Sequence, residues 1–222
     1  MVRSGTEQSG PVRRDARRNR ERLVAAAREA FAAQGLEAPL DDIARRAGVG
    51  NATLYRHFPT RAALVDEVFR GALAGTVEAG EEARAAADAW TGLTGYLEAV
   101  FTVLAADRGT NDLMTTGLEG VRSLDEVHVH NHETVRLLLE RGQREGTVRP
   151  DLACEDLLFT LAALGRAVPA LTAVVPDGWR RCLSLFLDGL RPQATALPSV
   201  PLTAPQLADV LRELGPHRPS RG

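Results

Sequence analysis

The chain has 222 residues, is 44% hydrophobic and carries a net charge of −2. That is enough apolar mass for one or two packed domains. Two cysteines, Cys154 and Cys182, set in apolar helical sequence, exclude a disulfide scaffold and fit a reducing compartment. No apolar run approaches the ~20 residues that cross a bilayer. The polar start MVRSGTEQSG lacks the apolar centre of a signal peptide, so a cytoplasmic protein without membrane contact is expected.

The small net charge hides an asymmetry. Residues 1–60 hold 11 arginines against seven acids, and the remainder holds 16 against 22. The basic end is the expected polyanion-binding end.

In chain order, residues 1–12 read as a disordered lead-in. A helix is expected from about Arg14 to Gln34, where Leu23, Ala27, Ala30 and Phe31 fall on one face and Gly35 ends it. Pro39 opens a second helix, with Asp41 and Asp42 at its positive end. Its apolar face is Ile43, Ala44 and Ala47, and Gly48 stops it where a left-handed residue is needed. Val49 plugs the corner, Asn51 is placed to cap a third helix, and Leu54 with Phe58 returns apolar mass to the same core. Ala52, Thr53, Tyr55, Arg56 and His57 then face away from that core, a mixture that suits a helix lying in a DNA groove. Pro59 ends this helix, and Thr60 caps another carrying Leu64, Val68 and Leu73.

Further apolar helices are expected over about Thr91–Ala106, Asn111–Leu118, Leu124–Arg144, Ala153–Leu171 and Asp177–Leu190. Asp107-Arg108-Gly109 forms a turn between the first two. A proline-rich tail follows, with a short amphipathic helix after Thr203. No stretch alternates as a strand, so the fold class is all-α. It is a three-helix helix-turn-helix unit followed by a helical bundle. The expected divisions are a disordered 1–12, a DNA-binding 13–60, a ligand-binding and dimerisation 61–192, and a tail 193–222.

The arginine-rich first helix followed by IARRAGVGNATLYRHFPTRAAL resembles the N-terminal domain of TetR-type transcriptional repressors. The matching positions are Phe31, Gly35, Ile43-Ala44, Ala47-Gly48-Val49, Leu54-Tyr55, Phe58 and Leu64. The resemblance implies that Thr53, Tyr55 and His57 meet DNA, and that Arg61 stands where a phosphate-contacting lysine is usual. It also implies that the rest of the chain is an all-helical ligand-binding and dimerisation domain. From chemistry alone, the Thr53 and Tyr55 hydroxyls suit phosphates, and Arg56 and His57 suit base edges or backbone. Arg14 and Arg18, in the cluster Arg13, Arg14, Arg17, Arg18, Arg20 and Arg22, are expected to track phosphates, with Arg13 and Arg14 free to form an arm ahead of the helix.

Plausible liners of a ligand site between the helices are Trp90, Tyr96, Phe101, Met114, Thr115, His128 and Phe159. The last two strong helices are each apolar over more than one face. Leu157, Leu161, Leu164 and Gly165 on one, and Trp179, Cys182, Leu183 and Phe186 on the other, are expected to form a four-helix homodimer interface.

The segment HVHNH places His128, His130 and His132 at alternate positions, the pattern of a metal-ligand strand. The flanking residues have helical spacing, however, and on a helix only His128 and His132 share a face. A metal-binding helical enzyme built on the three, with Asp125 or Glu133 as a further ligand, is the alternative to a ligand-responsive repressor. The reading adopted has no catalytic site, metal or cofactor. It is a dimer that binds a palindromic double-stranded DNA operator and is released by a small-molecule effector.

Overall fold

The computed structural model describes residues 9–115, 118, 120–192, 196–198 and 200–213. The described residues form ten helices and no strand. They are α1 (Ser9–Gln34), α2 (Leu40–Ala47), α3 (Asn51–His57), α4 (Arg61–Arg84) and α5 (Ala89–Ala106), then α6 (Arg108–Thr115), α7 (Arg122–Arg144), α8 (Cys154–Thr172), α9 (Gly178–Gly189) and α10 (Ala204–Glu213).

Two ends differ from expectation. α1 starts at Ser9, so Arg13 and Arg14 lie inside a helix and form no arm. Of the expected disordered stretch, residues 1–8 fall outside the described residues. Likewise, Arg108 and Gly109 belong to α6 and not to a turn. Asp107 is what starts that helix: its carboxylate accepts from the Thr110 N–H at 2.7 Å and the Thr110 hydroxyl at 2.8 Å.

Two further helix ends follow their expected capping chemistry. Gly48 takes φ 65°, and its N–H and that of Val49 reach back to the carbonyls of Arg45 and Ala44, both at 3.0 Å. The Thr60 hydroxyl accepts from the Ala63 N–H at 3.1 Å, which starts α4.

There are two apolar cores. The first joins Leu23, Phe31, Ile43, Leu54, Phe58, Leu64 and Val68 to Leu113 of α6 and Leu124 and Val127 of α7. The second gathers α5, the later turns of α7, α8 and α9 around Leu97, Phe101, Leu138, Leu157 and Trp179. α4 and α7 serve both, since Ala83 and Leu138 lie in the second while Val68 and Leu124 lie in the first. A displacement of α6 or α7 in the bundle therefore cannot leave the N-terminal helices untouched.

Polar links reinforce this joint. Asp66 of α4 caps α7 from outside, accepting from the Ser123 N–H at 3.1 Å and the Ser123 hydroxyl at 2.6 Å. Asp112 of α6 accepts from the Leu36 N–H at 3.2 Å at the end of α1. Gly109 packs so tightly on Phe31 that a Cβ there would stand 2.9 Å from its backbone.

Candidate nucleic-acid interface and ligand cavity

α3 separates its two jobs by face. Leu54 and Phe58 are buried, whereas Asn51, Ala52 and Arg56 are exposed and Tyr55 is 49% exposed. Thr53 and His57 are half-buried at the flanks of this exposed face.

Asn51 does not cap α3. Gly50 is the N-cap residue, and the Asn51 amide donates to Asp41 at 2.8 Å, tying α3 to α2. His57 has its Nε2 buried without a hydrogen-bond partner. Burial, then Arg56 and Arg20, hold its imidazole below the usual histidine value.

The basic residues divide in the same way. Arg14 and Arg18 are exposed on α1 and have no ion-pair partner among the described residues. Arg20 is structural: it pairs with Glu67 at 2.5 Å and covers the Phe58 ring, 5.0 Å from the centroid. Arg61, the expected phosphate contact, also has a structural role. Its Nη1 donates to the carbonyls of Leu36 and Ala38, at 2.6 and 2.7 Å, and so clamps the α1–α2 loop. Those carbonyls have no helical donor of their own, which is why a neighbouring guanidinium serves them.

The second feature is a cavity of about 310 Å³ bounded by α5, α6, α7, α8 and α10. Tyr96, Met114, Thr115 and His128 of the expected liners are there, joined by Asn131, His132 and Leu158. The other three are elsewhere. Phe101 stacks on Trp179 at 6.0 Å, Trp90 lies under the Arg191 guanidinium at 3.6 Å, and Phe159 is half-buried on α8 away from the cavity. Of the large aromatic groups expected as pocket walls, Phe101 instead fills the second core and Trp90 packs against its edge.

The cavity's polar edge is built, not incidental. The Tyr96 hydroxyl donates to Asn131 at 2.5 Å, and burial raises the Tyr96 pKa well above the phenol range. Behind this wall, outside the cavity lining, Asn111 donates to the carbonyls of Leu104 at 3.1 Å and Gly165 at 2.7 Å. The reason lies four residues on: Pro169 has no N–H, so the Gly165 carbonyl lacks its helical donor and Asn111 supplies one. A proline four residues after a glycine inside a helical pattern was the signal available.

The three histidines part company on α7. His128 and His132 line the cavity, while His130 packs against Gly80 of α4. No group of three metal-ligating side chains occurs among the described residues. Cys154 is buried, its thiol pushed up to about 11, and Cys182 is exposed on α9.

Of the residues expected at a dimer interface, Leu157, Leu161, Gly165, Trp179 and Leu183 are buried within the protomer. They face inward because the second core takes one full side of each helix. Leu164 and Phe186 are half-buried, and Cys182 is exposed. The outward row is instead Ala163, Ala167 and Ala170 on α8, with Cys182 and Leu185 on α9, Leu185 being 64% exposed.

No helix of the described residues is long and apolar enough to cross a membrane.

Comparison with known proteins gives two family matches. Residues 23–68 match the bacterial regulatory proteins of the tetR family, and residues 88–192 match the C-terminal domain of SbtR-like transcriptional regulators. The TetR transcriptional regulator SCO0520 from Streptomyces coelicolor is 30% identical, over 79% of this chain and 99% of that one, with a TM-score of 0.50. The HTH-type transcriptional repressor KstR2 of Rhodococcus jostii is 29% identical over 186 residues, 77% of this chain and 90% of that protein. For the fold alone, the ketosteroid transcriptional regulator KstR2 of Mycobacterium tuberculosis is 23% identical over 78% of this chain and 95% of that one, with a TM-score of 0.58.

Proposed function

The chain belongs to the TetR family of bacterial transcriptional regulators and is not an enzyme, and from that premise we propose that it is a ligand-released repressor acting as a homodimer on a palindromic operator. The observation that carries the DNA half is the face of α3. Its inner side is fully buried, and its outer side presents Ala52, Tyr55 and Arg56 to solvent beside the exposed Arg14 and Arg18 of α1. Thr53, Tyr55 and the arginines supply phosphate contacts, and Arg56 and His57 supply base contacts in the major groove. Arg61 acts in this scheme by holding the α1–α2 loop.

Two recognition helices must reach successive major grooves, about 34–36 Å apart, so the protein acts as a two-fold dimer. The outward row of α8 and α9 is the proposed contact. Its small residues let helices approach closely, and Leu185 adds an apolar knob.

The cavity near Tyr96 and Asn131 is the proposed effector site. It has an apolar body with a few convergent polar groups, the usual make-up of a ligand pocket. Thr115 and Asn111 of α6 connect it to the Asp112–Leu36 and Gly109–Phe31 contacts at the end of α1. A ligand that shifts α6 thus biases the separation of the α3 helices, and linkage requires operator and effector to oppose each other equally.

Selection of bound fragments from a random DNA pool tests this reading. It is expected to yield an inverted repeat with half-sites one helical turn apart, located near this chain's own gene. A pool that enriches no sequence, or only single half-sites bound by monomer, sinks it.

A further inference from the structure

Relatives are accounted for almost completely by 77–79% of this chain, and the family matches end at residue 192. Yet α10, at residues 204–213, is part of the cavity wall. Ala204, Leu207, Ala208 and Leu211 stand at i, i+3, i+4 and i+7 on one face and line the cavity opposite α7 and α8. Leu207 is 6% exposed, although most of α10 lies in solvent.

The segment before it is also fastened. The Leu197 N–H donates to Asp151 at 2.9 Å, and Asp151 pairs with Arg149 at 2.6 Å. Thr203 and Gln206 then bond to each other at the start of the helix, with the Thr203 hydroxyl and Gln206 side chain 2.9 Å apart. So α10 is a formed, capped helix held to the bundle by one covered leucine and an apolar edge. Elements held by so little covered apolar surface are the ones that open locally while the rest of a fold stays intact.

The chamber's chemistry narrows what it can hold. None of its sixteen lining residues is Asp, Glu, Lys or Arg. The Tyr96 hydroxyl proton is taken by Asn131, leaving His128, His132, the Asn131 amide N–H groups and the accepting oxygens of Tyr96 and Thr115 as partners. Burial holds the His128 imidazole below the usual histidine value despite Asp125 and the Met114 carbonyl. A fully charged ligand would lose its hydration here without a counter-charge.

We propose that α10 is a movable wall of this cavity and that the chamber selects compact, uncharged, largely apolar ligands bearing a hydrogen-bonding group. The proposal rests on the reading of the cavity as the effector site.

Two dyes with one skeleton test it in the full-length protein: neutral 1-anilinonaphthalene and its 8-sulfonate. The neutral dye is expected to bind at least about 10-fold more tightly, because only the sulfonate brings an unpaired charge. Ala162→Trp, which fills the chamber, should abolish that binding. Leu207→Asp, which unseats α10, should raise both association and release rates of the neutral dye about 10-fold by leaving the chamber open. Equal affinity for the two dyes overturns the ligand class. Binding that survives Ala162→Trp overturns the location, and rates unchanged in both Leu207→Asp and Leu211→Asp overturn the movable wall. No DNA is present in these assays, so failure of the operator reading would leave the dye results standing, and the reverse also holds.

Discussion

On α3, Leu54 is 1% exposed and its neighbour Tyr55 is 49% exposed, so fold and function sit on opposite faces of seven residues. In the bundle the arrangement is inverted. Tyr96, Asn111 and Gly165 are buried: Tyr96 lines the cavity, and Asn111 and Gly165 hold α6 to α8 beside it. The difference teaches where mutation can separate stability from activity. At the DNA face the two are nearly independent, because water covers Tyr55 and Arg56 in the free protein and only the His57 Nε2 is buried. In the bundle they are coupled, because Tyr96 and Asn131 of the wall bridge α5 to α7 and Asn111 behind it bridges α6 to α8.

The largest effect expected from this contrast is on the inner face of α3. Leu54→Ala should cost about 2–5 kcal/mol by opening a cavity in the first core, measured by denaturant unfolding. Tyr55→Ala should change stability by no more than about 0.5 kcal/mol, as a surface substitution. A similar loss from both would break the comparison at its clearest point.

Next comes the bundle. Asn111→Leu leaves the Gly165 carbonyl without a donor and should cost about 1–3 kcal/mol, lowering the melting temperature by several degrees. It should also alter the affinity of any cavity ligand, since Asn111 fixes α6 against α8. Asn111→Leu with unchanged stability would mean that the carbonyl finds another partner and that the coupling argued here is absent.

A sharper use of the comparison concerns assembly. Leu185→Arg lies on the exposed face of α9, so it should raise the dimer dissociation constant about 10-fold or more while leaving protomer folding intact. Leu161→Glu instead strikes the protomer's own core, where Leu161 is 9% exposed, and should unfold it. Analytical ultracentrifugation alongside thermal melting distinguishes the two, and a fully dimeric Leu185→Arg protein would move the interface elsewhere.

The smallest expected effect is the pH dependence of DNA binding. His57 is held below the usual histidine value, first by burial and then by Arg56 and Arg20, so the free protein carries it neutral at pH 7. Its neutral form is favoured in the folded state, so its contribution to stability is complete above the ordinary value and declines as pH falls. Nearby phosphates favour the protonated form, so binding takes up a proton and operator affinity should rise two- to threefold, as an order of magnitude, from about pH 7.5 to pH 6. His57→Gln should flatten this profile. An equal slope in the variant would assign the proton to another group.

The contrast also explains what the sequence made legible. The helix-turn-helix is written in local rules: Gly48 for a left-handed stop, Thr60 for a cap, and Leu54 and Phe58 for one buried face. Each acts within a few residues, so a linear pattern suffices. The loop clamp made by Arg61 was not legible because its partners, Leu36 and Ala38, depend on how the α1–α2 loop folds back. In the bundle, helices were legible from apolar spacing, but the assignment of faces was not. Leu157, Gly165 and Trp179 all belong to stripes that two partners could cover, and only packing decides that the protomer itself covers them. Tyr96, Met114, Thr115 and His128 were found as liners, but α10 was read as a tail helix, since nothing local to residues 204–213 says what that helix will meet.

The most direct test of the central claim combines two readings on one protein, the Thr53→Ala, Tyr55→Ala, His57→Ala triple variant. Its affinity for the selected operator and its melting temperature are measured beside those of the wild type. The account predicts at least a ~100-fold loss of operator affinity, from several contacts worth about 1–3 kcal/mol each, with a melting temperature within a few degrees of wild type. Operator affinity retained by a folded triple variant would contradict the assignment of α3 as the DNA-reading helix.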